Sequence, residues 1–505
     1  MGDNIVMKSK SLICFILFCA LLVTAVLPVS GEDSSPVATA WDGSADTSWY
    51  NTTDNTFTLT DAADLAGFAA IVNGTAEGIA QSNFLGKTVR LGADILLNTG
   101  DAASWTPETE GLQAFPIIGN ISEKDGAADA SLQFSGEFDG QGHTISGLYV
   151  NGRSDWWEGS GLFAAIYGPA KLHDFALVNS AVFQPGRYNA AAVTAYAFVK
   201  SGEEKDAFSI YNIYTDAMIT ASGEKTGIGG IVGKISDPTY KSVTNAYGSI
   251  RSCVFAGKIT QTGNCAAYSG GILGNVNDVG VQISDCLNLG TIVSLNNREY
   301  MGGIVGKGDT NHCTIRINRC VSVVDPTSAS RKVGGIISFG NKPIDDDEFL
   351  DCFTAGERYA VCKEGNEATG DSIRTGKTTL QELVGADVPE AVKTALTGWV
   401  TREGGIIIPA GVAALTPLFG DVPTPPPEDN TTGTPTEKPT DAPTKPNNPP
   451  TGEKPAQDSS TQERSAGTAA EKPAEKGCQS AVGIAPLLAL ILSGIYVAET
   501  KKRNR

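Results

Sequence analysis

Few residues in this chain are placed to do chemistry. The histidines are His143, His173 and His312, and none lies in a His-Glu-x-x-His arrangement. The helix-borne zinc site of a metalloprotease is therefore not encoded. Neither a Gly-x-Ser-x-Gly elbow nor a Walker loop is present. Two acidic clusters compete for a role. Asp345-Asp-Asp-Glu348 would supply a carboxylate pair for glycoside hydrolysis, or oxygen ligands for Ca²⁺ beside a Lys or Arg. It reads instead as a solvated charged turn. Asp139-Gly-Gln-Gly142 starts like a calcium loop but lacks the remaining oxygen ligands, and reads as a tight turn between strands. On these grounds no catalytic, cofactor-binding or metal-ligating residue is nominated, no cofactor is expected, and the chain reads as a non-enzyme.

The cysteines are more regular than the histidines. Cys253, Cys286, Cys320 and Cys352 step by 33, 34 and 32 residues, each opening a short apolar run such as Asp285-Cys-Leu-Asn-Leu-Gly290. With Cys265, Cys313 and Cys362 they make the seven cysteines of the repeat domain, an odd number that leaves at least one unpaired if the others form disulfides. No Cys-x-x-Cys pair is present to hold a metal. The spacing favours a column of buried thiols acting as small apolar residues. Upstream, Phe175 and Ile213 stand near the Cys position, which places that position in the core.

What would position such a column is a second phrase: Thr226-Gly-Ile-Gly-Gly-Ile-Val-Gly-Lys234, Tyr268-Ser-Gly-Gly-Ile-Leu-Gly-Asn275, Tyr300-Met-Gly-Gly-Ile-Val-Gly-Lys307 and Lys332-Val-Gly-Gly-Ile-Ile-Ser338. Self-similarity at this period means stacked units, each too thin to bury its own apolar face. Short alternating apolar runs between glycines favour strands. A period near 33 residues divides into roughly three short strands, one coil of an all-β solenoid, with coils about 4.8 Å apart. The paired glycines are expected to permit φ > 0 at a corner and to let backbones approach.

The Gly-Gly-Ile-Val-Gly phrase resembles the GLUG motif of bacterial and archaeal surface proteins. Phe134-Ser-Gly-Glu-Phe-Asp-Gly-Gln-Gly-His-Thr-Ile-Ser-Gly-Leu-Tyr149, followed by Gly161-Leu-Phe163, is similar to the lead-in of such proteins. The resemblance covers most of residues 35–410 and implies a right-handed parallel β-helix. It specifies no activity.

The remaining segments suit an exported protein. Residues 1–31 read as a signal peptide, with Lys8 and Lys10, an apolar core Leu12 to Val26, and small residues before Glu32. Residues 32–115 read as an N-terminal cap and first coil. Within them Phe57 to Val72 is a strand entering a helix that Thr60 or Asp61 caps, with Leu65, Phe68, Ala69 and Val72 on one face. Residues 116–415 form the solenoid. Thr378 to Val384 reads as a short helix, and Trp399-Val-Thr with Gly405-Ile-Ile-Ile-Pro409 as a last strand and cap.

Residues 421–477 carry about half the 25 prolines and almost no aromatic residue, the composition of a disordered stalk spanning on the order of 100 Å. Within residues 480–505, Ala481 to Ala498 is long enough for a transmembrane anchor, with Lys501-Lys-Arg503 as a cytoplasmic tail. A net charge of −18 argues against nucleic acid as a partner. The expectation is a cell-surface module, adhesin-like or structural, for an unidentified glycan or protein ligand. The alternative is a tethered carbohydrate-active β-helix enzyme.

Overall fold

The computed structural model describes residues 39–415, apart from 125–126, 153–158, 187, 200–206, 224–226, 240–246, 264–266, 278, 296–299, 310–313, 331, 341–346, 356, 379, 384–387 and 402–406. All of these fall in one compact unit that ends at Pro425. The expected signal peptide, stalk and membrane anchor lie outside the described residues. Among the described residues no helix is long and apolar enough to cross a membrane.

The chain is predominantly β, and its main sheets are parallel. One sheet takes, in order, Thr56–Leu59, Thr88–Leu91, Glu137–Asp139, Lys171–Val178, Phe208–Thr215, Tyr247–Arg251, Gly280–Ser284, Ile315–Asn318 and Glu348–Thr354. Three further sheets also gain one strand per repeat. One runs Tyr149–Asn151, Ala181–Gln184, Met218–Ala221, Lys258–Gln261 and Thr291–Ser294. Register is kept from repeat to repeat, as in Met218↔Lys258 and Lys258↔Thr291. A repeat thus carries more strands than the three expected. Residues 247–277 contain five: Tyr247–Arg251, Val254–Phe255, Lys258–Gln261, Tyr268–Gly270 and Leu273–Asn277.

The extra break has a local cause. Asp174, Asn212, Ser252, Asp285, Arg319 and Asp351 all adopt left-handed backbone, with φ between +51° and +57°. Each lies at the same place in its repeat and turns the chain within the first sheet. Asn and Asp tolerate this region because their short polar side chains bond locally; Arg319 occupies it at a cost of about 1 kcal/mol. The next residue is in each case buried to 0% exposure: Phe175, Ile213, Cys253, Cys286, Cys320 and Cys352. The four cysteines are free thiols. Each donates a weak hydrogen bond to the carbonyl two residues back, from Cys253 Sγ to Arg251 O at 3.3 Å and from Cys320 Sγ to Asn318 O at 3.4 Å. The expected column of core thiols is therefore present at these positions. Cys265 and Cys313 lie outside the described residues.

The paired glycines serve close approach rather than φ > 0. None of Gly229, Gly230, Gly270, Gly271, Gly302, Gly303, Gly334 and Gly335 is among the positive-φ glycines. A Cβ on Gly303 would sit 2.1 Å from Ser322 Oγ and 2.2 Å from the Gly335 carbonyl oxygen. The corner expected of glycine is made instead by the residues that precede the core column.

The N-terminal end is closed by the helix Ala62–Asn73. Asp61 caps it, accepting from Asp64 N at 2.9 Å, and Gly74 ends it at φ +69°. Leu65, Phe68, Ala69 and Val72 are all fully buried, as expected. The Phe68 ring meets those of Phe84, Phe134 and Phe138, so the helix seals the first repeats.

The C-terminal segment departs from expectation. Trp399–Thr401 pairs antiparallel with Ile407–Pro409, in a two-stranded sheet of their own. The strand that follows Glu348–Thr354 in the first sheet is Ile373–Lys377. The short helix expected at 378–384 spans Leu380–Leu383. Leu383, Val388, Val392, Leu396, Ile408 and Val412 pack with Ala176, Tyr214, Val254, Leu287, Val321 and Phe353. Those last six share one register row. The segment therefore lies along the sheet rather than across its end. Burying such side chains stabilises by about 1.5–3 kcal/mol each, which is why the row can be apolar.

Candidate functional site

The first sheet presents a row of unlike side chains that the parallel register brings together: Arg90, Asp139, His173, Tyr211 and Arg251. Two residues back, hence on the same face, run Thr88, Glu137, Lys171, Ser209 and Ser249. Between the two rows Val89, Phe138, Leu172, Ile210 and Ile250 point inward, all fully buried. This alternation holds the polar row rigidly.

His173 is the centre. Its side chain is 7% exposed and meets three carboxylates. Nδ1 lies 2.7 Å from Asp174 Oδ2 and 3.7 Å from Asp139 Oδ1, and Nε2 lies 3.2 Å from Glu137 Oε1. Both ring nitrogens face carboxylates, an arrangement that favours the imidazolium form with a donor on each side. Burial pulls the His173 pKa down. The hydrogen bond and charge of Asp174, with Asp139 and Glu137, outweigh burial and hold it above the ordinary value. Burial pushes Glu137 up, but His173, Lys171 and Thr88 bring it below the usual carboxylate value. Asp174 is likewise pushed up by burial, and is lowered on balance by His173 and Asn212.

Each carboxylate has a further partner. Thr88 Oγ1 donates to Glu137 Oε2 at 3.1 Å, and Lys171 Nζ lies 3.6 Å from Glu137 Oε1. Arg90 Nε lies 3.5 Å from Asp139 Oδ2, and Asn212 Nδ2 donates to Asp174 Oδ1 at 2.7 Å. The Tyr211 ring stacks on His173 with centroids 4.4 Å apart, and Arg251 Cζ sits 3.9 Å from the Tyr211 centroid. Asp139, His173 and Asp174 each turn one ligand atom to a common point, these atoms lying within 4.8 Å of one another.

The turn expected at Asp139-Gly-Gln-Gly142 is present: Asp139 Oδ1 accepts from Gln141 N at 3.1 Å, and Gly142 has φ +84°. The same Asp139 also faces His173, which the turn reading had not suggested. His143 is apart from the cluster and pairs with Asp94 at 3.2 Å. His312 lies outside the described residues. In the acidic run, Asp345 and Asp346 are also outside them. Asp347 is not solvated as expected: it is 3% exposed and accepts from Ile315 N at 2.7 Å. A strand amide that the register leaves without a carbonyl explains its burial. Glu348 pairs with Arg316 at 3.4 Å.

The His173 cluster was not foreseen because its members come from separate strands between residues 90 and 251. A signal existed. Aligning the repeats on Phe175, Ile213 and Cys253, and reading two residues back, gives His173, Tyr211 and Arg251 in one column.

A second polar patch lies on another sheet. Lys307 Nζ sits 4.7 Å from the Tyr268 ring centroid and 5.0 Å from that of Tyr300, while Lys332 joins Tyr300 Oη at 2.7 Å and Glu364 at 2.8 Å. An open cleft of about 630 Å³ is lined by Arg319, Asp351, Glu390, Thr394 and Thr397. Asp285 holds the Arg319 guanidinium with two bonds of 2.7 Å.

No protein-family model matches the chain, and no curated protein matches it. Among solved structures it is similar to a crystal structure described as a "putative immunoglobulin A1 protease" from Bacteroides ovatus. That match has 18% identity and a TM-score of 0.47, and covers 70% of this chain and 92% of the other. No residue role is carried over from it.

Proposed function

We propose that the chain is an exported surface protein of the GLUG-repeat type. On this reading its parallel sheets form a right-handed β-solenoid that acts as an adhesin-like binding or structural module. Residues 421–477 hold it away from a membrane anchor at 481–498. The ligand is a surface glycan or a protein. The observation that carries this reading is the row Arg90–Asp139–His173–Tyr211–Arg251, in which charged and aromatic groups are held in fixed register on one sheet and each charge is already met by a neighbour. Such a row offers preorganised hydrogen-bonding edges and gives up little entropy on binding. An acid–base catalyst instead needs a group whose proton is held ready for substrate, and both His173 nitrogens are engaged.

A tethered carbohydrate-active enzyme is the second reading. It is favoured by one observation, the convergence of Glu137, Asp139 and Asp174 beside Lys171 and Arg90. The test is a glycan-array screen of the full-length chain purified in detergent, with reducing-sugar and unsaturated-product assays on every glycan bound. Binding without turnover, weakened in Y211A, is the expected outcome. Turnover lost in D139N and E137Q would replace the binding reading by the enzymatic one. Neither binding nor turnover would remove the glycan and leave a protein ligand or a structural role.

A further inference from the structure

We propose that Asp139, His173 and Asp174 form a divalent transition-metal site. The inference stands on the local geometry, whichever ligand the module takes.

The argument begins with the oxygens. In each aspartate one oxygen is held by an outer partner and the other is turned inward. Asn212 holds Asp174 Oδ1, leaving Oδ2 at 2.7 Å from His173 Nδ1. Arg90 and the Gln141 side chain hold Asp139 Oδ2, while Oδ1, which also accepts from Gln141 N at 3.1 Å, keeps a second lone pair and lies 3.7 Å from the same nitrogen. His173 is arranged likewise. Glu137 Oε1 takes Nε2 at 3.2 Å, which fixes a proton there and leaves Nδ1 for a cation. A carboxylate behind a histidine is the outer-shell arrangement that orients imidazole ligands and raises their basicity. The Tyr211 ring, stacked with its plane 3° from that of the imidazole, locks the second rotational freedom of the histidine.

The site is also sheltered but reachable. The side chains of His173, Asp139 and Asp174 are 7%, 12% and 35% exposed. Asp174 is therefore the open side, where water would complete the coordination. One imidazole and two carboxylates suit Zn²⁺, Ni²⁺, Co²⁺ or Mn²⁺. Ca²⁺ and Mg²⁺ prefer all-oxygen shells.

The test is calorimetric titration of the full-length chain in detergent, stripped with chelator, against Zn²⁺ and separately Ca²⁺. Zn²⁺ is expected to bind at one such site and Ca²⁺ much more weakly. Affinity should fall at least tenfold in H173Q and in D174N, and about 10–100-fold in E137Q, which touches only the outer shell. H143Q should leave it unchanged. Circular dichroism checks each variant's fold. Should H173Q fail to fold, D174N decides, because Asp174 is the most exposed of the three. Absence of Zn²⁺ binding at 1 mM overturns the proposal. So does Zn²⁺ affinity unchanged in D174N, which would place the metal at the cysteines or at His143 and Asp94.

Discussion

The imidazole of His173 lies flat against the phenol ring of Tyr211, centroids 4.4 Å apart and planes 3° apart, although the two residues belong to different repeats. Parallel register puts them side by side. The other side of the ring carries Arg251, its Cζ 3.9 Å from the centroid. Tyr211 is thus a spacer between two cationic groups that would otherwise repel.

This predicts that Tyr211→Phe keeps the row and Tyr211→Ala does not. A double-mutant cycle of Tyr211→Ala with Arg251→Ala should give a coupling of about 0.5–2 kcal/mol, the range for a cation over an aromatic ring. Urea unfolding measures it. Additive losses would mean that Arg251 rests near the ring without interacting with it.

Stability should depend on pH in two limbs. His173 is raised above its ordinary 6.5 in the folded state. Its contribution is therefore complete below pH 6.5 and is lost as pH climbs through the raised folded value. Glu137 and Asp174 are lowered from 4.5 and 3.8. Their contributions are complete above those values and are lost as pH falls through the lowered ones. The metal-free protein should accordingly be most stable between about pH 4.5 and 6.5 as far as this cluster is concerned. Denaturant melts of wild type and His173→Gln, in chelator, check the alkaline limb. It should flatten in the variant, and an unchanged slope would assign it to other groups.

What recurs in residue type or is set by neighbouring residues was legible, and what depends on register or backbone geometry was not. Cys253 to Cys352 gave the period and the core column because one buried position per repeat tolerates only small or apolar side chains. The capping helix was legible from Asp61 and the spacing of Leu65, Phe68, Ala69 and Val72, which is local information. The left-handed corner was hidden because Asp, Asn, Ser and Arg all occupy it, and no single residue type marks it. The role of the glycines was half legible: close approach follows from the missing Cβ, but the sign of φ follows from where the corner falls. The site was hidden for a related reason. Its residues differ from repeat to repeat, so they become a cluster only once the register is known.

The glycine pairs allow a sharp contrast. Gly303→Ala would bring a Cβ to 2.1 Å from Ser322 Oγ and 2.2 Å from the Gly335 carbonyl, so backbones of neighbouring repeats must part. A loss of about 1–3 kcal/mol is expected, as for overpacking elsewhere. A Cβ on Gly370 would meet nothing within 4 Å. Gly370→Ala should therefore change stability by less than about 0.5 kcal/mol. Equal losses at the two sites would show that chain flexibility, not space, is what glycine supplies.

The core thiols should be silent in the native protein. Cys253, Cys286, Cys320 and Cys352 are all fully buried, so a reagent cannot reach their sulfurs in the folded state, and burial also pushes the Cys286 and Cys352 thiols up. A thiol-alkylating reagent followed by peptide mass spectrometry should leave these four unmodified at neutral pH. Each should then react at the rate of global unfolding as urea is added. Early labelling of Cys352 alone would show the last repeats opening independently.

The segment lying along the first sheet is tied down at Asp285. That carboxylate accepts two bonds of 2.7 Å from Arg319 and one of 3.3 Å from Trp399 Nε1. The indole thereby links the separate hairpin Trp399–Thr401 and Ile407–Pro409 to the repeats. Asp285→Ala removes the acceptor and leaves the guanidinium and the indole N–H without it, at a cost of about 1–3 kcal/mol. The cost should fall locally, because Val254, Leu287 and Val321 face the segment, whereas their chain neighbours Cys253, Cys286 and Cys320 lie in the separate core of the repeats. Hydrogen exchange should therefore quicken at Leu396 and Trp399, whose amides bond to Val392 O and Leu396 O, while Leu287 keeps its protection through Cys253 O. If Leu287 exchanged as fast as Leu396 in the variant, the segment and the repeats would be one cooperative unit rather than a core and its covering.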